Sequence, residues 1–250
     1  MMGRLVLAGV LLTVLCFETG CRSKRDPVVR SSEVQIQWLG HASFRIVAPS
    51  GIVLITDPFD SKMLTYPVPE RLKGDVISVS HEGWGANHLD LVDGMPQTIR
   101  SSVGLGANRA GGMLITGYPM GLARSHTGRT PNAAFVWEMG GMRFCHLGSL
   151  VERPSDAEVR AVGKVDVLFL PIGNLEDIPA SFLNQLVQQL GPRIIIPMSY
   201  RTKYSSRLVL SSVGAWSQAY PDVVQWGSRS FILKKEQLPG RQTVVQLPLP

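Results

Sequence analysis

The sequence predicts a mixed α/β (α+β) chain in which sheets pack together with helices outside, and three observations carry that prediction. The first is an opening β-meander. VQIQWL (Val34–Leu39) alternates apolar and polar residues, and SFRIV (Ser43–Val47) and IVLIT (Ile52–Thr56) follow it, joined by the turn Pro49-Ser50-Gly51. DVISVS (Asp75–Ser80) adds a further strand. The second is a pair of continuous apolar strands ending in proline, VDVLFLP (Val165–Pro171) and RIIIP (Arg193–Pro197), as expected of strands buried on both faces. The third is the helical patterning around them. Pro154–Val162 suits a short helix with proline at its start. Ile178, Phe182, Leu183, Leu186, Val187 and Leu190 recur at helical spacing until Gly191-Pro192 stops them. The tail returns to strands in FILK and TVVQL. Strands first and β-α-β units later describe layered sheets with an outer skin of helix.

Composition narrows the function classes. The chain has 250 residues, 44% hydrophobic and 18% charged, enough for one substantial core and too apolar for a disordered chain. No apolar run reaches the ~18 residues of a membrane span. The net charge of +6 comes without a dense Lys/Arg block, so nucleic acid is not an expected partner. Three cysteines exclude a cysteine-based zinc cluster, which takes about four soft ligands. Five histidines leave room for a histidine-rich metal site and nearly exhaust the supply.

The N-terminus reads as a targeting segment. Met1–Arg4 is a short basic start, and Leu5–Phe17 is an uncharged apolar run of signal-peptide length. Cys21 follows the small residues Thr19 and Gly20, which resembles a bacterial lipoprotein signal whose cysteine becomes the lipidated first residue. Glu18 departs from the Leu-like residue usual three positions before that cysteine, and an ordinary secretory signal is the alternative. The expected organisation is a signal over 1–20, a polar tether over 21–32 and one domain over 33–250. The expected location is the bacterial cell envelope, lipid-anchored, or otherwise periplasmic or secreted. Cys16 would leave with the signal and Cys21 would carry lipid. Cys145 would then stand alone in the core, with no disulfide framework.

WLGHASF (Trp38–Phe44), ITDPF (Ile55–Phe59), RFCHLGSL (Arg143–Leu150) and PRIIIPMSY (Pro192–Tyr200), with VDVLFLPIG and the amphipathic helix after it, together resemble the metallo-β-lactamase superfamily. The likeness is to its branch of ascorbate-6-phosphate lactonase-like zinc-dependent hydrolases. It covers the chain from Val34 onward. It implies a four-layer αββα metallo-β-lactamase-like sandwich, with a site on loops at one edge where His and Asp hold two divalent metals that activate a bridging water.

Set against that family's pattern, the site residues part company. The metal motif H-x-H-x-D-H falls on His81-Glu82-Gly83-Trp84-Gly85-Ala86. His81 keeps the first position, while Gly83, Gly85 and Ala86 replace ligands. His126 falls at the downstream histidine. Ser149 stands for the bridging aspartate and Ser199 for the last histidine. Two expected ligands therefore remain, His81 and His126, with His88 (near Glu82 and Asp90) a candidate for a rebuilt one-metal site. His41 and Asp57 would lie beside the metals, Asp57 orienting an imidazole by hydrogen bonding. His146 reads as a buried, satisfied histidine and Cys145 as core. No nucleophilic triad is expected at Ser149 or Ser199.

The leading expectation is an exported pseudoenzyme with a degenerate metal site and no bound cofactor, acting by binding an unknown small-molecule or protein partner, or as a scaffold, and tied to the membrane by its lipid. A second is an active one-metal hydrolase using zinc or another divalent ion on a phosphodiester or lactone. A third is a ligand-binding lipoprotein using the former cleft, with Trp84 stacking on the ligand or filling the vacated volume.

Overall fold

The computed structural model describes residues 32–69, 71–220 and 222–250; the signal and tether read at 1–31, including Cys21, lie outside the described residues. The chain opens with β1 (Val34–Gly40), β2 (Ser43–Val47) and β3 (Val53–Thr56), an antiparallel meander in which Trp38 faces Phe44 and Phe44 faces Thr56. The short β4 (Leu72–Lys73) precedes β5 (Val76–Val79), and the short β6 (Val92–Asp93) precedes β7 (Gln97–Arg100). β5 and β7 continue the first sheet in parallel, while β4 and β6 pair with each other. β8 (Gly106–Ala110), β9 (Met113–Ser125), β10 (Gly128–Met139) and β11 (Met142–His146) form antiparallel neighbours. Then come α1 (Asp156–Val162), β12 (Val167–Pro171), α2 (Ala180–Leu190), β13 (Ile194–Met198), α3 (Val213–Ser217), β14 (Val223–Gln225), β15 (Ser230–Leu233) and β16 (Thr243–Gln246).

These strands make two large sheets, ordered β15-β1-β2-β3-β5-β7 and β14-β16-β13-β12-β11-β10-β9-β8. Their inner faces share one core, and Phe44 of the first sheet meets Phe169 of the second at 4.5 Å between ring centroids. β12 and β13 are buried at every position, as two-faced burial requires. On the outer face of the second sheet, α2 buries Leu183, Leu186, Val187 and Leu190, each worth roughly 1.5–3 kcal/mol of apolar burial. Gly191 ends that helix in the left-handed conformation, φ 59°, where glycine has no Cβ to clash. The outer face of the first sheet is covered differently. Leu39, Ile55, Ile77 and Val79 pack beneath Leu72 and Val92 of the β4–β6 ribbon and Leu89 and Leu91 of a 3-10 turn, so among the described residues that layer is not an α-helix.

Most strands lie where the pattern predicts, within a residue or two. α1 starts later than expected. Ser155, not Pro154, caps it: the Glu158 amide donates to Ser155 Oγ (3.3 Å) and the Ser155 amide donates to Glu158 Oε2 (2.6 Å), a reciprocal capping box. The predicted strands lie in place, but β4, β6, β7, β8, β14 and α3 were not announced by periodicity, and the β9–β10 hairpin is the longest such element. Gly117, Pro119 and Gly121 interrupt the alternation of β9, and the pairing shifts register between Pro131 and Ala133.

Candidate metal centre and cleft

Turns at the ends of β1, β3, β5, β11 and β13 converge at one edge of the sandwich. Their backbone is strained there. His41 (φ 50°), Asp57 (φ 38°) and Ser199 (φ 57°) are the non-glycine residues with left-handed φ among the described residues, and all three belong to these turns. Such geometry costs on the order of 1–3 kcal/mol per residue and persists only where the surroundings enforce it. Hydrogen bonds do so here. The Trp38 indole N–H and the Ser199 amide both donate to the His41 carbonyl (3.1 and 3.2 Å), and the Asp57 amide donates to Ser78 O (2.8 Å). Gly173 is the glycine this edge requires, because a Cβ would lie 1.8 Å from Ser199 O.

His41, His81, Ser149 and Ser199 line one small cavity of about 20 Å³, enclosed by Trp84, Arg124, Asn174 and Leu210. That is about the room one water needs. His81 is held in a chain of polar contacts. Asp57 accepts the Ser80 amide on Oδ1 (2.7 Å) and the Ser80 hydroxyl on Oδ2 (2.5 Å), and Ser80 Oγ meets His81 Nδ1 at 2.9 Å. With its proton committed to Asp57, the hydroxyl accepts from His81 Nδ1–H, which leaves a lone pair on His81 Nε2 toward Gly83 and Gly85. Asp57 thus reaches the His81 imidazole through Ser80 and not directly.

Every titratable group in this nest is driven toward neutrality. Burial pulls His81 down to about 3, with His41 and His146 adding to it. Burial and then His146 bring His41 down to about 4. Burial lifts Asp57 to about 7 against the opposing Ser80 hydrogen bonds. His146, also lowered to about 4 by burial, is fully buried and satisfied. Its Nε2–H donates to Ala42 O (2.9 Å) and its Nδ1 accepts from the Gly148 amide (3.2 Å). The 3.9 Å approach of that Nδ1 to Asp57 Oδ2 is thus a contact of a neutral ring and not an ion pair. Cys145 is buried, and its thiol is raised to about 12 by burial, as fits a core residue. His41 Nδ1 and Ser199 Oγ are buried without a hydrogen-bond partner among the described residues.

The glycines at expected ligand positions sit against this cluster. A Cβ on Gly83 would lie 2.6 Å from the Arg124 carbonyl oxygen and 2.9 Å from the His81 ring, and one on Gly85 would lie 3.0 Å from His41 Nε2. Ala86 is fully buried. The remaining candidates are not gathered. His126 is exposed in the turn joining β9 to β10, away from the cavity lining. His88 precedes the 3-10 turn, half-buried, with its amide on Pro58 O (2.8 Å). Glu82 is turned away onto Arg100 and Asn87, which hold its carboxyl below the usual range. Among the described residues no group of three or more His, Cys, Asp or Glu is placed to hold a metal ion. The donor set of the cavity, two imidazoles and two hydroxyls, does not fit the family's two-cation centre, and the trio His81, His126 and His88 does not converge. The reason is local: the hairpin carries His126 past the cavity, and it is Arg124, two residues earlier, that reaches the wall.

Outside Trp84 the edge opens into a cleft of about 720 Å³. Trp84, Arg124, Asn174 and Leu210 line both spaces, so the small cavity is the floor of the larger one. Sequence reasoning missed Ser80, Arg124 and Asn174. Ser80 was adjacent to His81 and Arg124 lay two positions from His126, yet only three-dimensional pairing shows which of them faces the site.

A family model described as a beta-lactamase superfamily domain matches residues 35–199, and the chain belongs to that superfamily. Relatives named UPF0173 metal-dependent hydrolases include one from Methanosarcina mazei, 25% identical over 200 residues that cover 68% of this chain and 85% of the relative. Another, from Archaeoglobus fulgidus, is 26% identical over 201 residues, 68% and 84% of the two chains. Among solved structures, a Thermotoga maritima protein assigned to the Zn-dependent hydrolases of the metallo-β-lactamase superfamily aligns with TM-score 0.67 and 31% identity, covering 86% of this chain and 98% of that one.

Proposed function

We propose that this chain is an exported, lipid-anchored member of the superfamily that binds a ligand in its edge cleft and has given up the two-metal hydrolytic centre. The observation that carries the reading is the donor set. The cavity offers the imidazoles of His41 and His81, and the space that side chains at Gly83 and Gly85 would need is taken by the Arg124 carbonyl and the histidine rings. Two neutral imidazoles without a carboxylate ligand hold zinc weakly, since each missing donor opens a position to water. Metal analysis of the purified protein tests this. Substoichiometric metal, removed by mild chelation, is expected; tightly held stoichiometric zinc that His81→Ala abolishes would overturn it.

A second reading, a one-metal hydrolase, is favoured by the relatives, which are named metal-dependent hydrolases. His81 supports it too, because the Ser80–Asp57 chain leaves Nε2 poised as a ligand. It predicts cleavage of phosphodiester or lactone model substrates with added zinc, manganese or iron, lost in His81→Ala. Export and anchoring rest on Leu5–Phe17 and Cys21. Radiolabelled palmitate incorporation, and release of the protein from membranes by Cys21→Ser, test them.

A further inference from the structure

We infer that the edge cleft takes a small planar organic anion, its ring against Trp84 and its acidic group on Arg201. This rests on the ligand-binding reading above and adds the chemistry of the ligand. The cleft, about 720 Å³, has the size of a small-molecule site. Its charges are unequal in availability. Of the two carboxylates on the wall, Asp177 is committed to Arg124, whose Nη2 donates to Oδ2 at 2.5 Å, and Glu176 is exposed. Of the arginines, Arg207 gives Nη1 to the Lys62 carbonyl (2.6 Å). The exposed guanidinium of Arg201 makes no hydrogen bond or ion pair among the described residues, and only the backbone of that residue is engaged, its amide on Ser211 O (2.8 Å). A free, planar fork of donors on a cleft wall suits a carboxylate or phosphate oxygen pair.

Trp84 supplies the second half. It stands half-buried between the cleft and its floor, its ring 6.5 Å from that of His41, and its carbonyl is pinned by the Asp60 amide (2.7 Å). An aromatic side chain lining the cleft on an anchored backbone is a stacking surface that costs little ordering entropy. The floor favours the same class of ligand. His41, His81, Ser149 and Ser199 line the base, and Asp57 lies fully buried behind Ser80, accepting its amide and hydroxyl, so among the described residues no carboxylate at the base faces an incoming anion.

The test is calorimetric titration of the full chain in detergent with phthalate, its neutral diamide, and cyclohexane-1,2-dicarboxylate as the non-planar dianion. Phthalate is expected to saturate a single site, the diamide to show no binding, and the non-planar diacid to bind about tenfold more weakly. Arg201→Ala is expected to weaken phthalate about tenfold or more without moving the melting temperature. Trp84→Leu should weaken it by about as much, and Trp84→Phe should restore most of the loss. Arg109→Ala, on β8 and outside the cleft, serves as the unchanged control. No binding of phthalate at about 1 mM, equal binding of the diamide, or an unaltered affinity in Arg201→Ala would overturn the assignment. Repeating the titration after chelation separates the two levels. Binding lost with the metal would overturn the metal-free reading of the site, whereas binding that survives chelation but ignores Arg201 would overturn only the ligand class.

Discussion

The floor of the edge cleft and its outer wall are neighbours with opposite physics. The floor is closed, strained and neutral: about 20 Å³, three left-handed non-glycine residues in its turns, and imidazoles held uncharged by burial. The wall is open and charged, about 720 Å³ with Arg124, Arg201 and Arg207. Strain of the first kind is enforced by hydrogen bonds made by the His41 carbonyl and by the Asp57 and Ser199 amides. Of the charges on the wall, Arg124 is held by Asp177 and Arg207 by the Lys62 carbonyl, while the Arg201 guanidinium is left to follow whatever the cleft receives. The scaffold thus places its strained backbone at the floor and its charge at the mouth.

Four substitutions or conditions sharpen that contrast. The largest effect is expected at the floor. Asp57→Ala strips the partner from the Ser80 amide and hydroxyl in a fully buried position, and should cost about 3 kcal/mol in chemical denaturation. Asp57→Asn keeps an acceptor and should cost far less. Equal losses in the two variants would show that volume, not hydrogen bonding, holds this turn. Next comes Gly83→Ala, whose new methyl meets the rigid Arg124 carbonyl. About 2 kcal/mol is expected, with a smaller loss for Gly85→Ala, where the contact is the tip of the His41 ring. A neutral or stabilising Gly83→Ala would mean that the loop opens readily enough to readmit a ligand side chain.

Acidification is the third. His41, His81 and His146 have folded values of about 4, 3 and 4, below the ordinary 6.5, so the unfolded chain binds their protons first. Their contribution is complete above 6.5 and is lost as pH falls toward about 4. Asp57, raised from 3.8 to about 7, works in the opposite sense over that window, one group against three. Stability measured by urea denaturation should thus fall between about pH 6.5 and about pH 4.5. A rise would show that Asp57 outweighs the histidines. The smallest effect is expected at His126→Ala, in an exposed turn. Stability should change by under about 0.5 kcal/mol, and metal content should not change. A drop in bound metal would return His126 to the site.

Much of the fold was legible because each strand carries its own signal. Val34–Leu39 alternates, while Val165–Pro171 and Arg193–Pro197 are unbroken, and each pattern matched its place at the half-exposed or the fully buried part of a sheet. The β9–β10 hairpin was not legible, since its glycines and prolines break the alternation and only cross-strand pairing defines it. The same gap misplaced His126. Along the chain it sits at the expected separation from His81, but the hairpin runs on past the cavity and presents Arg124 there. His81, His41, Asp57, Ser149 and Ser199 each lie at or near the end of a recognisable strand, and the strand ends gather at one edge of the sandwich. Arg201 carried no local signal at all, since its freedom from partners exists only once the chain is folded.

The pairing of β1 with β15 sets Val34 opposite Leu233, joining the first described strand to one near the last. Trp38 also waits for the far end of the chain, its amide donating to Arg229 O (2.9 Å). A ribosome emits the early strand long before its partner, so the first sheet lacks its β15 edge until Ser230–Leu233 has been made. Contacts this distant in sequence slow folding because the loop entropy must be spent before they form. Closure of that sheet edge is thus a late event, governed by a segment about two hundred residues downstream of the strand it completes.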